Sequence, residues 1–139
     1  MDLHGKNLIA GELSSQGTSR FSAVNPVTGS NLDPLFAEAT EAEADRALDL
    51  ANEAFELYRR QSPQQIAAFL EVIAEEILGL GDDLIHRANQ ETALPESRLI
   101  GERARTTNQL KMFATLVREG SWVEASIDRA IPDRKPIPK

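Results

Sequence analysis

One capped, one-sided apolar stripe, residues 62–80 (SPQQIAAFLEVIAEEILGL), restricts the folds open to this chain more than any other stretch. Ser62 carries a hydroxyl able to accept from the free N–H groups of a first helical turn. Pro63 sits where a missing N–H is not felt, and Gln65 can reach back to the cap, so the start reads as a capping box. Ile66, Phe69, Leu70, Ile73 and Ile77 recur at spacings of three and four and share one helical face, while Glu71, Glu75 and Glu76 fall mainly off it. Gly79 and Gly81 can adopt the left-handed conformation that closes a helix. A stripe this wide demands burial, and the amphipathic stretches on either side make helix packing the expected answer.

Thr40 and Glu43 form a second capping box, which predicts a helix near residues 41–60. Its expected buried face is Ala44, Ala47, Leu48, Ala51, Ala54, Phe55 and Tyr58, and Arg59 and Arg60 suit the negative pole of its dipole. The short connection to the 62–80 helix predicts that the two form an antiparallel hairpin. Asp82 or Asp83 is expected to cap a third helix, near 82–92, with Leu84, Ile85 and Ala88 inward. Pro95 opens a fourth, near 95–119, closed by Gly120; Leu99, Leu110, Phe113 and Val117 lie together on it, interrupted by Arg103 and Thr106. Upstream, residues 8–10 and 20–24 are short apolar runs joined by a polar loop, which predicts one β-hairpin over 7–24. Residues 25–29 (NPVTG) predict a turn, and the run 32–39 an extended segment that Pro34 restricts to a sheet edge. Residues 121–127 alternate and predict a strand; from Pro132 the chain reads PDRKPIPK, an extended tail or linker. The expected class is α+β: a hairpin followed by four amphipathic helices, mainly α.

The chain's 139 residues suffice for one domain with a core, which an aromatic content of 5% makes aliphatic and alanine-rich. A net charge of −7 argues against nucleic acid and anionic membrane surfaces as partners. No apolar run approaches the roughly 20 residues of a membrane span, and the N-terminus lacks the pattern of a secretory signal, so a cytoplasmic protein is expected. There is no cysteine, hence no disulfide, thiolate ligand or cysteine nucleophile in these residues. His4 and His86 do not have metal-ligand spacing and read as surface residues. Glu75 and Glu76 lie about 100° apart on a helix and read as a solvated face. Gly79-Leu80-Gly81 follows a helix and does not precede one, the wrong pole for a phosphate. The remaining cluster is Arg98, Glu102, Arg103 and Arg105. Glu102 is four residues after Arg98 and three before Arg105, which suits ion pairs along the helix; the other reading is an arginine facing an anionic ligand group.

Taken together, several of these stretches resemble aldehyde dehydrogenases. Asn25-Pro26-Val27-Thr28-Gly29 is similar to the family's N-P-x-T-G turn near the start, residues 7–12 (NLIAGE) to its first strand, and residues 47–55 to its first helix. Residues 91–95 (ETALP), 101–103 (GER), 109–114 (QLKMFA), 120–122 (GSW) and 132–134 (PDR) resemble the bacterial branch that oxidises α-ketoglutaric semialdehyde, with NADP-dependent fatty-aldehyde relatives. The resemblance covers nearly the whole chain. It implies an enzyme about three times this length, in which a cysteine attacks the aldehyde, a hydride leaves to NAD or NADP, and a glutamate activates water. It implies that those groups lie beyond this stretch. Residues 1–120 would be the N-terminal part of the cofactor-binding domain, and 121–139 the start of an oligomerisation strand or linker. The stretch alone is then expected to be inactive and to bind no cofactor or metal. The parent takes a small-molecule aldehyde, α-ketoglutaric semialdehyde going to 2-oxoglutarate, and forms a homo-oligomer; NAD versus NADP stays open. In the family, the helix equivalent to 95–119 lines one wall of the substrate tunnel. A semialdehyde bearing a carboxylate needs a cation there, which nominates Arg105 as substrate-binding, with Gly101 leaving room one turn before it and Arg103 pointing about 160° away. The rival reading is a self-contained helical interaction or oligomerisation module without catalysis.

Overall fold

In the computed structural model, which describes residues 3–125 together with Ala130, Asp133 and Lys135, the N-terminal segment forms two hairpins in place of the single one expected. Strand β1 (Asn7–Ile9) turns back through Ala10 and Gly11 onto β2 (Glu12–Ser14), with Ile9 opposite Glu12. Both loop residues have positive φ, 48° and 83°, as a two-residue hairpin needs to match the twist of its strands. Alanine seldom adopts that conformation, so Ala-Gly does not signal a hairpin as Asn-Gly would, and the predicted pairing of 8–10 with 20–24 fails. Strand β3 (Arg20–Val24) pairs antiparallel with β4 (Asn31–Ala37), Phe21 opposite Phe36 and Val24 opposite Asn31. The predicted 25–29 turn closes this second hairpin: Asn25 Oδ1 accepts from Val27 N at 2.9 Å and Asn25 N donates to the Ser30 carbonyl at 2.9 Å. Opposite Ser22, β4 bulges through Asp33, Pro34 and Leu35, where a residue without an N–H is tolerated. The strand crosses the N-terminal segment so closely that a Cβ on Gly5, at φ +64°, would stand 2.1 Å from the Leu35 carbonyl oxygen. Only glycine meets both demands.

Helix α1 (Glu41–Tyr58) begins at the expected capping box. Thr40 Oγ1 accepts from Glu43 N at 3.2 Å, and the Glu43 carboxylate accepts from Thr40 N at 3.0 Å. The same carboxylate reaches across to the end of the first hairpin, accepting from the Ser14 hydroxyl and from Gln16 N at 3.1 Å. Glu43 is only 1% exposed. The Ser14 hydroxyl, followed by the backbone N–H groups of Thr40 and Gln16, outweighs the effect of burial and holds its carboxyl down at about 2. The apolar face expected to be buried is mostly open: Leu48 is 70% and Phe55 53% exposed. Ala47 and Leu50 are half-buried where α1 meets β1.

Helix α2 (Pro63–Gly79) starts at the second predicted box, with Ser62 Oγ accepting from Gln65 N at 3.2 Å and Gln65 Oε1 accepting from Ser62 N at 3.0 Å. Its partner is not α1, which meets it only near its end, where the Tyr58 and Phe69 rings stand edge to face at 6.0 Å. Instead α2 packs along α4 (Glu96–Glu119). Two bonds show that these helices run antiparallel. Arg118 pairs with Glu71 at 2.8 Å, and Arg103 Nη1 donates to the Gly81 carbonyl at 2.6 Å. The seam is made of small side chains, Ala67 and Ala74 facing Thr107 and Ala114, all buried. Each pair is seven residues apart, so small residues repeat along one line and the backbones approach closely. Ile66, Leu70, Ile73 and Ile77 are half-buried beside it. Periodicity locates such a stripe but not the surface that fits it, which is why the α1–α2 hairpin was the wrong expectation.

Helix α3 (Gly81–Thr92) follows α2 with Leu80 serving both ends, so neither Asp82 nor Asp83 caps it and its N-cap makes no side-chain bond. Of the two glycines expected to close α2, Gly81 has φ +58° and Gly79 remains helical. Ile85 is buried, and Pro95 stands at the N-cap of α4 with Gly120 at its C-cap. In place of the predicted strand, Ser121–Val123 form a 3-10 turn, with Val123 N donating to the Gly120 carbonyl at 3.1 Å. Ser126 and Ile127, and the proline-rich segment apart from Asp133 and Lys135, lie outside the described residues. The class is α+β, four helices and two small antiparallel hairpins; no helix among the described residues is long and apolar enough to cross a membrane.

Glu43 makes acid stability a test of this arrangement. Its folded value of about 2 lies below the ordinary 4.5, so its contribution is fully present above 4.5 and is lost as pH falls from there towards 2. Glu43→Gln should lower the melting temperature at pH 7, and the gap to the unsubstituted chain should close between pH 4.5 and 2 in thermal scans by circular dichroism. A gap independent of pH would show that the charged form is not what matters.

Candidate functional site

The arginines of α4 are distributed by the helix into different surroundings. Arg103 is half-buried and committed to the Gly81 carbonyl, so it joins α4 to the start of α3. Arg105 is on the outer face, with its side chain 70% exposed; its Nε donates to Glu102 Oε2 at 2.9 Å, and its Nη2 stands 2.8 Å from the same oxygen as an ion pair. Arg98 is exposed, and its guanidinium has no partner among the described residues. Seven residues separate Arg98 from Arg105 and Arg105 from Met112, so the three form one exposed stripe. Gly101, beside this stripe, is open: a Cβ there would meet no atom within 4 Å. The intrahelical ion pair weighed from the sequence is therefore present, and the space before Arg105 is free.

A cleft of about 370 Å3 opens between the end of α2, α3 and the first half of α4. Ile77, Leu84, Ala88 and Leu99 line it, and Glu102, Arg103 and Thr106 form its polar edge. Arg105 does not line this cleft. A second apolar cleft, about 410 Å3, lies at the corner between α1 and α2, against Leu57, Tyr58, Ile66 and Phe69.

Two side chains matter more than their sequence context suggests. Glu43 was legible as a cap, but its bonds to Ser14 and Gln16 were not. Arg87, on α3, donates to the Asp33 carbonyl, pairs with Glu91 at 2.5 Å and lies over the Phe36 ring at 6.0 Å, tying β4 to the helices. Only the four-residue spacing to Glu91 was visible in advance. The histidines remain peripheral. His4 Nδ1 accepts from Lys6 N at 3.1 Å, and His86 Nε2 stands 3.6 Å from Glu96. No group of three or more histidine, aspartate or glutamate side chains is placed to hold a metal among the described residues.

The helix N-termini also bear on a dinucleotide. Those of α1 and α2 are occupied by the Glu43 and Gln65 side chains, that of α3 follows α2 directly, and that of α4 follows Pro95 with no side-chain cap. No glycine-rich turn leads from a described strand into a helix.

Comparison with known proteins gives a consistent result. The family model for the aldehyde dehydrogenase family matches residues 13–137. The chain is 47% identical to alpha-ketoglutaric semialdehyde dehydrogenase 2 of Azospirillum brasilense, over 100% of this chain and 27% of that protein. It is 40% identical to alpha-ketoglutaric semialdehyde dehydrogenase of Acinetobacter baylyi, over 98% of this chain and 26% of that protein. The structure of betaine aldehyde dehydrogenase from Staphylococcus aureus in complex with NAD+ superposes with a TM-score of 0.78 at 20% identity, over 98% of this chain and 26% of that one. The chain thus spans about a quarter of the length of these relatives. On the match over residues 13–137 and identity running the length of the chain, this protein belongs to the aldehyde dehydrogenase family.

Proposed function

We propose that this chain is the N-terminal part of an NAD- or NADP-dependent aldehyde dehydrogenase that oxidises α-ketoglutaric semialdehyde to 2-oxoglutarate in the cytoplasm. The observation that carries the reading is 47% identity along the whole chain to an N-terminal region of a relative named for that activity. On this reading residues 1–120 belong to the cofactor-binding domain and 121–139 lead into the oligomerisation strand or linker. The chemistry requires a thiol, and the sequence has no cysteine, so the reacting groups come from residues outside this stretch. NAD or NADP is bound by the whole enzyme. The absence of cysteine is in keeping with a reducing compartment.

The exposed apolar side chains support the same reading. Leu48 and Phe55 on α1, Phe69 and Val72 on α2, and Met112 on α4 are all open in this chain. Large apolar areas on a monomer mark surfaces that something else covers. The remainder of the enzyme, and then a second copy in a homo-oligomer, supplies that cover. Arg105 is the substrate-binding residue of this stretch: its exposed guanidinium beside the open Gly101 suits a carboxylate in two-point contact.

Three measurements test the proposal. The isolated chain, incubated with aldehyde and NADP, should give no rise in reduced-cofactor absorbance; turnover above buffer overturns the account. In sedimentation it should associate, and a stable, monodisperse monomer would favour the self-contained helical module instead. In the full-length polypeptide, Arg105→Ala should raise KM for the acidic semialdehyde roughly tenfold or more, the loss of one charged hydrogen bond of about 1.5–3 kcal/mol. Acidic and uncharged aldehydes affected alike would leave Arg105 a structural role only.

A further inference from the structure

Resting on the reading of Arg105 as the carboxylate receptor, we infer that Glu102 competes with the substrate for that arginine and that Arg98 receives Glu102 when the substrate displaces it. Glu102 stands between two arginines on one helix, four residues after Arg98 and three before Arg105, and both spacings bring side chains into reach. It engages only one of them. The Arg105 Nε bond and the Nη2 ion-pair contact both fall on a single oxygen, Oε2, while Arg98 has no partner among the described residues. The trio therefore has one unmatched positive charge, and that charge sits at Arg98.

An incoming carboxylate changes this balance. It offers Arg105 two parallel bonds, one to each oxygen, a better match to the guanidinium fork than two donors sharing one atom. The ion pair it must displace is exposed on both sides, 70% at Arg105 and 46% at Glu102, and such pairs are weak. The released Glu102 has Arg98 four residues before it, so no charge is left unpaired. After the exchange two arginines hold two carboxylates and the set is neutral. An uncharged aldehyde gains nothing from the exchange, so the two arginines favour acidic substrates, while Glu102, as the competing carboxylate, limits both their affinity and the discrimination. Gly101 leaves the flank of Arg105 open to the ligand.

The test is the ratio of kcat/KM for the acidic semialdehyde over an uncharged aldehyde of similar length, measured in the full-length polypeptide. Both Glu102 and Arg98 lie at the surface, so neither substitution opens a cavity. Glu102→Gln should raise the ratio about two- to fivefold through KM, the worth of an exposed ion pair. Arg98→Ala should lower it by a similar factor, because Glu102 then loses its alternative partner. In the Glu102→Gln background the Arg98→Ala effect should vanish, since no carboxylate remains to be received. A ratio unchanged or lowered by Glu102→Gln, or an Arg98→Ala loss equal in both backgrounds, overturns the inference. The two levels are separable through Arg105→Ala. If that variant lowers the ratio tenfold while Glu102→Gln fails to raise it, only the exchange is wrong. If Arg105→Ala leaves the ratio unchanged, the reading of Arg105 falls and the exchange falls with it.

Discussion

The first hairpin and the first long helix share one acceptor, the Glu43 carboxylate, and are joined through it. A helix start presents N–H groups with no partner inside the helix, and a loop leaving a hairpin presents more. One buried carboxylate answers both, taking Thr40 N from the helix side and the Ser14 hydroxyl and Gln16 N from the hairpin side. Such a group is stable in the interior only because its donors are fixed around it. The result is a cap that also serves as a clamp. Arg87 performs the corresponding task further along, holding the backbone of β4 at Asp33 and packing over the Phe36 ring from α3.

The helical half depends on a different kind of fit. Ala67, Ala74, Thr107 and Ala114 allow α2 and α4 to approach closely, and the larger side chains flank the seam only partly covered. A pair of helices so joined leaves apolar area on its other faces. Helix α1 leaves more: its stripe meets β1 and, at its own end, the first turns of α2, while Leu48 and Phe55 stay exposed. The arrangement makes physical sense as one portion of a larger packed body, in accord with relatives four times as long.

The proposed substrate contact of this stretch lies on α4. The helix uses one arginine, Arg103, to hold the fold and leaves two others, Arg98 and Arg105, on the open side with a single glutamate between them. The division follows from helical geometry, because Arg103 and Arg105 cannot face the same way. On the proposed reading, the Arg98 guanidinium, without a partner among the described residues, leaves a surface suited to an anionic end of a substrate.

Local chemistry was largely legible in the residues themselves. Thr40-x-x-Glu43 and Ser62-x-x-Gln65 place helix starts because the bonds close within four residues, and both boxes are present. Asn25 to Gly29 likewise predicts its own turn, and the order of these stretches along the chain carries the family resemblance. The Glu102–Arg105 pair was readable from spacing. What was not readable depends on residues far apart in sequence or on rare conformations. Ala10 at positive φ creates a hairpin that its residue type does not announce, so β3 was assigned the wrong partner. The stripe of α1 states that a face wants cover but not whether this chain provides it. Amphipathic periodicity records the direction of an apolar face and nothing about shape, so the choice of α4 over α1 as the partner of α2 was made only when small side chains met across the seam. The second half of Glu43's bonding, to Ser14 and Gln16, has the same origin: a sequence specifies which groups need partners, and only the tertiary structure brings distant ones within bonding distance.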